Sequence, residues 1–402
     1  MAPLAPIDRL GERAAAAGVP LFGSLELTWR CNFRCVHCYQ DGLRDTHREL
    51  TTAEWKRLLD EIAELGCIFL TFTGGEPLLR PDFSELYEHA FRRGFVPTVF
   101  TNGALVDAAL LDLWERMPPK QIELTLYGAS EATYARVTER GHVHERVAST
   151  VDRILERGLR LVLKAPAMRP LLGDLHALAA FAEARGLHLQ TDSSLFPRLD
   201  GHRGPLAHRL SPEEAVALTA GQAGFAEHLD ACFGGAPPRL PDRVYRCGAA
   251  NYAFNVDPSG HLQPCVISRG VSTSFRQHGA AEAWRSLIAE GRRAARPRGR
   301  LRLLQLARRL YALSRAVVDG ARARGGPCRS PLRDHGGEAQ DPGAGRVSDP
   351  PTLPPRQRRP YRPPEVNEIV LDPDEAFMAP CAILVGSRPP CPIQNHSVIK
   401  AE

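Results

Sequence analysis

Three cysteines lie close together in the segment LTWRCNFRCVHCYQDG, as Cys31, Cys35 and Cys38. The segment LELTW before them is typical of a strand, so the three thiols are predicted to lie on a loop at a strand's C-terminal end. Structural zinc sites usually combine two separated ligand couples, whereas three thiolates on one loop can bind three irons of a [4Fe–4S] cluster and leave the fourth iron open. A zinc site completed by His37 or a distant ligand, or three unrelated thiols, are the alternatives.

The elements that position this loop follow a repeating pattern over about residues 22–192. Apolar β-type segments alternate with amphipathic helical segments, several of which begin at a capping Thr or Asp and end at Gly. The predicted strands are FGSLELTW, CIFLTFT, VPTVFTN, QIELTLYG, LRLVLKAP and LHLQTD. Such a series of strand–helix units predicts an α/β fold with a parallel sheet, either curled or doubly wound. Functional residues in such sheets gather at the C-terminal strand ends.

Three further segments stand at the ends of successive predicted strands. They are GGEP at Gly74, Gly75, Glu76 and Pro77, TNG at 101–103 and TLYG at 125–128. Adjacent glycines let the backbone approach a ligand closely, and the Glu76 carboxylate can accept a hydrogen bond from an ammonium group. Each segment taken alone is also typical of an ordinary turn.

Together with the cysteine loop, these segments resemble the radical S-adenosylmethionine (SAM) enzyme superfamily over about residues 22–192. The resemblance implies a partial (β/α)6 TIM-like barrel in which Cys31, Cys35 and Cys38 bind the catalytic [4Fe–4S] cluster. In that family the open iron binds the amino and carboxylate groups of SAM. An electron from the reduced cluster then cleaves the sulfonium, and the resulting 5′-deoxyadenosyl radical abstracts hydrogen from the substrate. An electron donor such as flavodoxin or ferredoxin is implied as a partner.

The resemblance also implies which residues bind SAM. Residues Gly74, Gly75, Glu76 and Pro77 are expected to hold its amino group, while Asn102 and Thr125 lie near its carboxylate or ribose. His37 stands where the family often has an aromatic residue, and its imidazole can lie against adenine. No pattern identifies a general acid or base, although Asp192, Asp200 or His202 could serve.

A second pair of cysteines, Cys247 and Cys265, lies in CGAANYAFNVDPSGHLQPC, with Gly260 in a predicted turn between two short strands. This spacing resembles the opening of the SPASM extension, which carries one or two auxiliary [4Fe–4S] clusters and is frequent in radical SAM enzymes that modify peptides. The resemblance implies a peptide or protein side chain as substrate. The alternatives are a small-molecule substrate such as a tetrapyrrole intermediate, and a hairpin with incidental thiols.

The resemblance stops after Cys265, because the next cysteine is Cys328 and the expected C-x2-C-x5-C-x2-or-3-C segment is absent. Leucines occupy that spacing, and each precedes a residue whose codon can begin with C or T: Leu301, Leu304, Leu310 and Leu313. In each case a leucine codon that ends in TG, followed by that C or T, contains a Cys codon in the reading frame shifted by one base. We hypothesise that the tail from about 292 is read in a shifted frame, and the alternative is an ordinary Leu-rich amphipathic helix. Cys328, Cys381 and Cys391 match no pattern.

Composition limits the remaining classes of function. The 402 residues carry a formal net charge of +5, which does not by itself indicate a nucleic-acid partner. The Arg-rich tail leaves two alternatives to an active enzyme. The chain could be a nucleic-acid-binding protein with a basic tail, or an inactive, truncated gene product. No segment approaches 18 uncharged apolar residues and no signal peptide is recognisable, which predicts a soluble cytoplasmic protein.

The predicted organisation has five parts. They are a lead-in (1–20), the barrel (21–199), a connector (200–245), a partial SPASM-like region (246–291) and an Arg/Pro/Gly-rich tail expected to be disordered (292–402).

Overall fold

The central sheet of this protein consists of short strands along which apolar and polar side chains alternate. The structure, a computed structural model, describes residues 6–40, 48–220, 245, 247–292 and 397–399. Most of the predicted connector and all of the tail except residues 292 and 397–399 lie outside the described residues, including the four leucines and three cysteines singled out above.

The elements follow the predicted alternation. In chain order they are α1 (Pro6–Ala17), β1 (Phe22–Glu26), α2 (Thr52–Glu64), β2 (Phe69–Thr73), α3 (Phe83–Arg92), β3 (Val96–Thr101), α4 (Ala108–Arg116), β4 (Gln121–Thr125), α5 (Glu131–Thr138), α6 (His144–Glu156), β5 (Leu161–Pro166), α7 (Leu175–Glu183), β6 (Leu189–Asp192), α8 (Pro212–Ala220), β7 (Ala253–Val256), β8 (His261–Gln263), β9 (Thr273–Ser274), α9 (Phe275–Gly291) and β10 (Ser397–Ile399).

The six predicted strands lie side by side in chain order, and every neighbouring pair among them is parallel. A doubly wound sheet reverses its strand order at a switch point, whereas this order runs from β1 to β6 without reversal. Successive right-handed crossovers therefore place the helices on the same side of the sheet. The predicted curled, TIM-like α/β sheet is confirmed, and the doubly wound alternative is wrong.

The two faces of the sheet differ in polarity because successive strand residues point to opposite sides. The outer face is apolar and fully buried, as shown by Leu25, Phe72, Val99, Ile122 and Leu163. On this face the Phe72 ring lies 6.0 Å, centroid to centroid, from the rings of Phe83 and Tyr87 in α3. The opposite, inner face carries polar residues in matching register: Ser24, Glu26, Thr71, Thr98, Glu123, Lys164 and Asn255.

Helices α1, α5 and α9 were not predicted. Helix α1 lies in the segment expected to be a lead-in. Helix α5 follows β4, and the Ser130 side chain caps it by accepting a hydrogen bond from the Thr133 amide at 3.2 Å. The residue that follows its last turn, Glu139, has a left-handed φ of 52°. The Ser130 cap was a readable signal for α5.

The C-terminal segment extends the same sheet. Strand β7 pairs in parallel with β1, and β8 and β9 continue in antiparallel pairing. The predicted turn at Gly260 is present, with φ at +86°. In α9, the Trp284 indole nitrogen donates to the Gly18 carbonyl at 2.7 Å. The five-part division of the chain stays a prediction. Within the described ranges, no helix is long and apolar enough to cross a membrane.

Candidate active site

The four predicted segments meet at one edge of the sheet. The cysteine loop follows β1, GGEP follows β2, TNG follows β3 and TLYG follows β4, and these four strands are parallel neighbours. Their C-terminal ends therefore lie side by side.

The GGEP turn is hydrogen-bonded to the backbone that leads into the cysteine loop. The Gly75 amide donates to Thr28 O and the Glu76 amide to Arg30 O, both at 2.8 Å. A Cβ at Gly75 would lie 2.2 Å from Arg30 O, and Gly74 has a φ of +143°. Both positions therefore require glycine. The reason is close contact with the loop backbone, and not only the approach of a ligand that the sequence suggested.

The Glu76 carboxylate points into the protein. It accepts hydrogen bonds from Thr101 Oγ1 and the Asn102 amide at 2.8 Å, and from the Leu78 amide at 3.2 Å. Burial raises the pKa of Glu76 to about 7, although these hydrogen bonds act in the opposite direction. The expected contact between the Glu76 carboxylate and the SAM ammonium group stays a prediction. In the structure three donors of the protein bond to this buried side chain, which thereby joins the ends of β2 and β3.

The Asn102 side chain connects the end of β3 to the cysteine loop. Its Nδ2 donates to Asn32 Oδ1 at 2.7 Å, and its Oδ1 accepts from the Ala104 amide at 3.0 Å. Asn32 lies between the first and second cysteines of the loop. The structure thus places the predicted residue Asn102 at the cysteine loop, with both ends of its buried amide bonded to protein.

Tyr127, in the TLYG segment, packs directly against the cysteine loop. Its ring centroid lies 6.0 Å from that of Phe33 and 5.7 Å from that of His37. Burial raises the pKa of the Cys35 thiol well above its ordinary value, as do neighbouring Cys38 and Cys31, whereas a hydrogen bond with Tyr127 lowers it. Sequence reasoning singled out Thr125 from this segment and missed Tyr127. Thr125 is half-buried and pairs with Lys164 across β4 and β5.

Helix α5 supports the cysteine loop from the other side. The Arg34 amide donates to Thr138 O and the Val36 amide to Val137 O, both at 2.9 Å. Arg140 Nε donates to Asn32 O, also at 2.9 Å. Because α5 was not predicted, these contacts were missed as well.

The His37 ring is half-buried and packs against the Tyr127 ring. Burial lowers its pKa to about 4, with a further contribution from His208, so the imidazole is neutral near pH 7. Its buried Nδ1 has no hydrogen-bond partner among the residues that the structure describes. This unsatisfied atom is one that a bound group could reach. The role of His37 toward adenine stays a prediction.

Comparison with known proteins identifies the family. The model of the radical SAM superfamily matches residues 25–171, which include all four segments. A PqqA peptide cyclase from Rhodopseudomonas palustris is 30% identical over 308 residues, covering 71% of this chain and 79% of that protein. The PqqA peptide cyclase of Granulibacter bethesdensis is 31% identical over 269 residues, covering 64% and 72%.

The chain belongs to the radical SAM superfamily.

Solved structures agree with this assignment at the level of the fold. SuiB from Streptococcus suis, bound to S-adenosylmethionine, has a TM-score of 0.53 at 13% identity, with 66% of each chain covered. The anSMEcpe protein with bound AdoMet has a TM-score of 0.52 at 14% identity, covering 67% of this chain and 80% of the other. The family resemblance predicted from the motifs is confirmed, and the chain is a radical SAM enzyme.

The cysteine loop of this radical SAM enzyme fits an iron–sulfur cluster by the chemistry of its donors. Cys31 is exposed, Cys38 half-buried and Cys35 buried, and the Cys38 amide donates to Cys35 O at 3.0 Å. In the described part of the chain, no group of three His, Cys, Asp or Glu side chains is arranged to hold a single metal ion. This arrangement does not test the zinc alternative. Three thiols on one loop are the usual donors to a cluster with several irons.

The fold also brings the second cysteine pair together. Burial raises the pKa of the Cys265 thiol and neighbouring Cys247 raises it further, whereas the backbone amides that follow Cys265 lower it. The Asn251 side chain holds the Cys247 turn by donating to Cys247 O at 2.8 Å. Tyr39 interacts with both cysteine groups: burial raises its pKa, as do Glu26, Cys38 and Cys265, whereas Arg269 lowers it. The auxiliary-cluster role of Cys247 and Cys265 stays a prediction.

The acid and base candidates suggested after β6 are engaged in local turns. Asp192 accepts from the Ser194 amide at 2.8 Å, and Asp200 accepts from the His202 amide at 2.9 Å. On the inner face, Lys164 forms an ion pair with Glu123 and lies 4.3 Å from the Phe100 ring centroid. This pair was missed, since a strand-end lysine is usually solvated.

Proposed function

We propose that this radical SAM enzyme binds a [4Fe–4S] cluster through Cys31, Cys35 and Cys38 and uses it to abstract hydrogen from a peptide. One observation carries the proposal: the ends of β2, β3 and β4 and the end of α5 all converge on the loop with the three cysteines. Such extensive support indicates a loop whose shape matters for chemistry.

Each supporting segment has its own part in this proposal. The GGEP turn, Gly74 to Pro77, presents its backbone toward the SAM amino group, while the Glu76 carboxylate fixes the turn to β3. Asn102 sets the position of Asn32 in the cysteine loop, and Tyr127 covers Cys35 and orients His37 toward adenine. Thr125, on the inner face, would lie near the ribose or carboxylate. Reductive cleavage of SAM at such a cluster supplies the hydrogen-abstracting power, and flavodoxin or ferredoxin would supply the electron.

The length of the similarity favours a peptide substrate. The PqqA peptide cyclase of Rhodopseudomonas palustris aligns over 308 residues, far beyond the 172 residues shared with a probable GTP 3′,8-cyclase of Methanopyrus kandleri. The GTP cyclase match covers 41% of this chain and 54% of that protein at 33% identity. A match limited to the core domain indicates only the chemistry that the whole superfamily shares. A longer match also includes regions outside the core, which recognise the substrate. A small-molecule substrate is the second candidate.

Anaerobic reconstitution with iron and sulfide tests the cluster. About four irons per chain are expected if only the first cluster forms, and more if Cys247 and Cys265 contribute to another. Dithionite and SAM should then yield 5′-deoxyadenosine. Cys35→Ser should lose both iron and product, while Cys67→Ala, at a buried cysteine two residues before β2, should keep both. Zinc in place of iron, or iron retained by Cys35→Ser, would refute the proposal.

The substrate class needs a separate experiment. A short peptide encoded beside the gene is incubated with the reconstituted enzyme, SAM and reductant, and the peptide is analysed by mass spectrometry. A changed peptide mass, together with stimulated 5′-deoxyadenosine formation, supports the peptide. An unchanged peptide, with stimulation by a nucleotide or tetrapyrrole instead, supports the small-molecule candidate.

A further inference from the structure

A buried ion pair lies beside the cysteine loop and has no part in the function proposed above. Glu26, at the end of β1 on the inner face, is completely buried. Arg269 Nη2 donates to both of its carboxylate oxygens, at 2.7 and 2.8 Å, from the segment between β8 and β9. Burial of two charges is unfavourable unless they are paired. Here one nitrogen of the guanidinium contacts both carboxylate oxygens, while Nη1 lies 4.0 Å from Asp257 Oδ2.

The same arginine reaches both ends of the cysteine loop. Its guanidinium carbon lies 5.2 Å from the ring centroid of Trp29, two residues before Cys31. At the other end, Gln40, two residues after Cys38, donates from Nε2 to Glu26 Oε2 at 2.6 Å. The loop from 29 to 40 is therefore held at its start by a cation–π contact and at its end through the carboxylate.

The chemistry of a carboxylate dictates the orientation of the neighbouring amides. An ionised carboxylate only accepts, so Gln40 and Asn255 must both turn their NH2 groups toward Glu26. Their carbonyl oxygens, like Arg269 Nη1, are buried without a hydrogen-bond partner among the described residues. Unsatisfied buried atoms lower stability, so this cluster is not an arrangement that favours stability alone.

We propose that Arg269 is a positioning residue through which the C-terminal extension holds both ends of the cysteine loop. The proposal rests on the proposed function only in assigning the cluster to Cys31, Cys35 and Cys38. In this proposal the C-terminal extension shapes the loop of Cys31, Cys35 and Cys38, and this role does not depend on any auxiliary cluster. The 243-residue separation between Arg269 and Glu26 makes this a purely tertiary connection.

Hydrogen exchange of the full-length, iron-free chain tests the connection directly. In Arg269→Gln, amides of the peptide spanning 29–40 should exchange about tenfold faster or more, the effect of losing a charge-assisted hydrogen bond. The control is Arg285→Gln in α9, whose exposed side chain bonds only Glu282 among the contacts described. Unchanged exchange of the loop in Arg269→Gln would overturn the proposal.

A second variant separates positioning from charge balance. Arg269→Gln removes the cationic partner of buried Glu26 and could unfold the chain, whereas the double variant Glu26→Gln/Arg269→Gln removes both charges of the pair. The double variant should fold, yet its loop should still exchange faster than in the parent chain. Full recovery of loop protection would show that Arg269 merely neutralises Glu26, which overturns the proposal.

Reconstituted protein gives a third, spectroscopic readout. Arg269→Gln should lose its visible iron–sulfur absorption to a chelator about tenfold faster than the parent, with partial rescue in Arg269→Lys, which keeps the charge. Equal rates in all three chains would contradict the proposal. If the parent chain binds no iron at all, the proposed function fails, while the exchange experiment on the iron-free chain still decides the role of Arg269.

Discussion

The side chain of Asn102 donates a hydrogen bond of 2.7 Å to the side chain of Asn32, and this bond ties the end of β3 to the cysteine loop. The two residues are 70 positions apart in the chain. The backbone amide of Asn102 in turn donates to the Glu76 carboxylate, so the ends of β2 and β3 and the cysteine loop form one continuous hydrogen-bonded unit. A substitution of Glu76, Asn102 or Asn32 should therefore alter the cysteine loop.

Asn102→Asp tests this link with minimal change of shape. The aspartate oxygen can still accept from the Ala104 amide, but it cannot donate to Asn32 Oδ1. We expect a loss of about 1–3 kcal/mol in the free energy of unfolding, measured with urea, and weaker iron retention. Iron retention equal to that of the parent would show that the link does not support the site.

Glu76→Gln should remove a specific pH dependence of stability. The pKa of Glu76 is raised from 4.5 to about 7 by burial. The folded protein therefore keeps the proton over a pH range in which the unfolded chain releases it. The stabilising contribution of Glu76 is complete below pH 4.5 and is lost as the pH rises through about 7.

Unfolding experiments on both chains across this range provide the measurement. The stability of the parent relative to Glu76→Gln should fall by about 3 kcal/mol between pH 4.5 and 7, from 1.36 kcal/mol per pKa unit. A difference that stays constant with pH would mean that the Glu76 carboxyl has an ordinary pKa in the folded protein.

Gly75→Ala should damage the site through the backbone. The added Cβ would lie 2.2 Å from Arg30 O, so the turn or the start of the cysteine loop must shift. A cost of about 1–3 kcal/mol or more is expected, with a marked loss of 5′-deoxyadenosine formation. Gly173→Ala has no neighbouring atom within 4 Å of its Cβ and should change stability by less than about 0.5 kcal/mol. Similar behaviour of the two variants would contradict the close contact.

Tyr127→Phe should make the Cys35 thiol harder to ionise. The Tyr127 hydrogen bond lowers the pKa of that thiol, so its removal should raise the pKa while the ring contacts remain. Alkylation of Cys35 in the iron-free chain, followed by mass spectrometry, should then be slower at a given pH. Tyr87→Phe, whose hydroxyl bonds Met117 O away from the loop, is the control. Faster or equal alkylation of Cys35 would show that the hydroxyl does not stabilise its thiolate.

The strand–helix alternation and the motif positions were enough to predict the core and its family. Six strand patterns in series require parallel pairing, and parallel pairing brings the segments after β1 to β4 to one edge. That prediction needed only local periodicity and chain order, which are readable in a sequence. Helix α5 had a local signal as well, the Ser130 cap, which was not used.

The hydrogen-bond and ion-pair partners of individual polar groups were decided only by the tertiary structure. Nothing local to GGEP indicates that the Glu76 carboxylate turns inward to Thr101 and Asn102, because its donors come from a different strand. Likewise, Arg269 meets Glu26 across 243 residues, and that contact exists only because β7 joins the sheet beside β1. Secondary structure follows from short-range pattern, whereas a buried hydrogen bond depends on which distant elements are packed against each other.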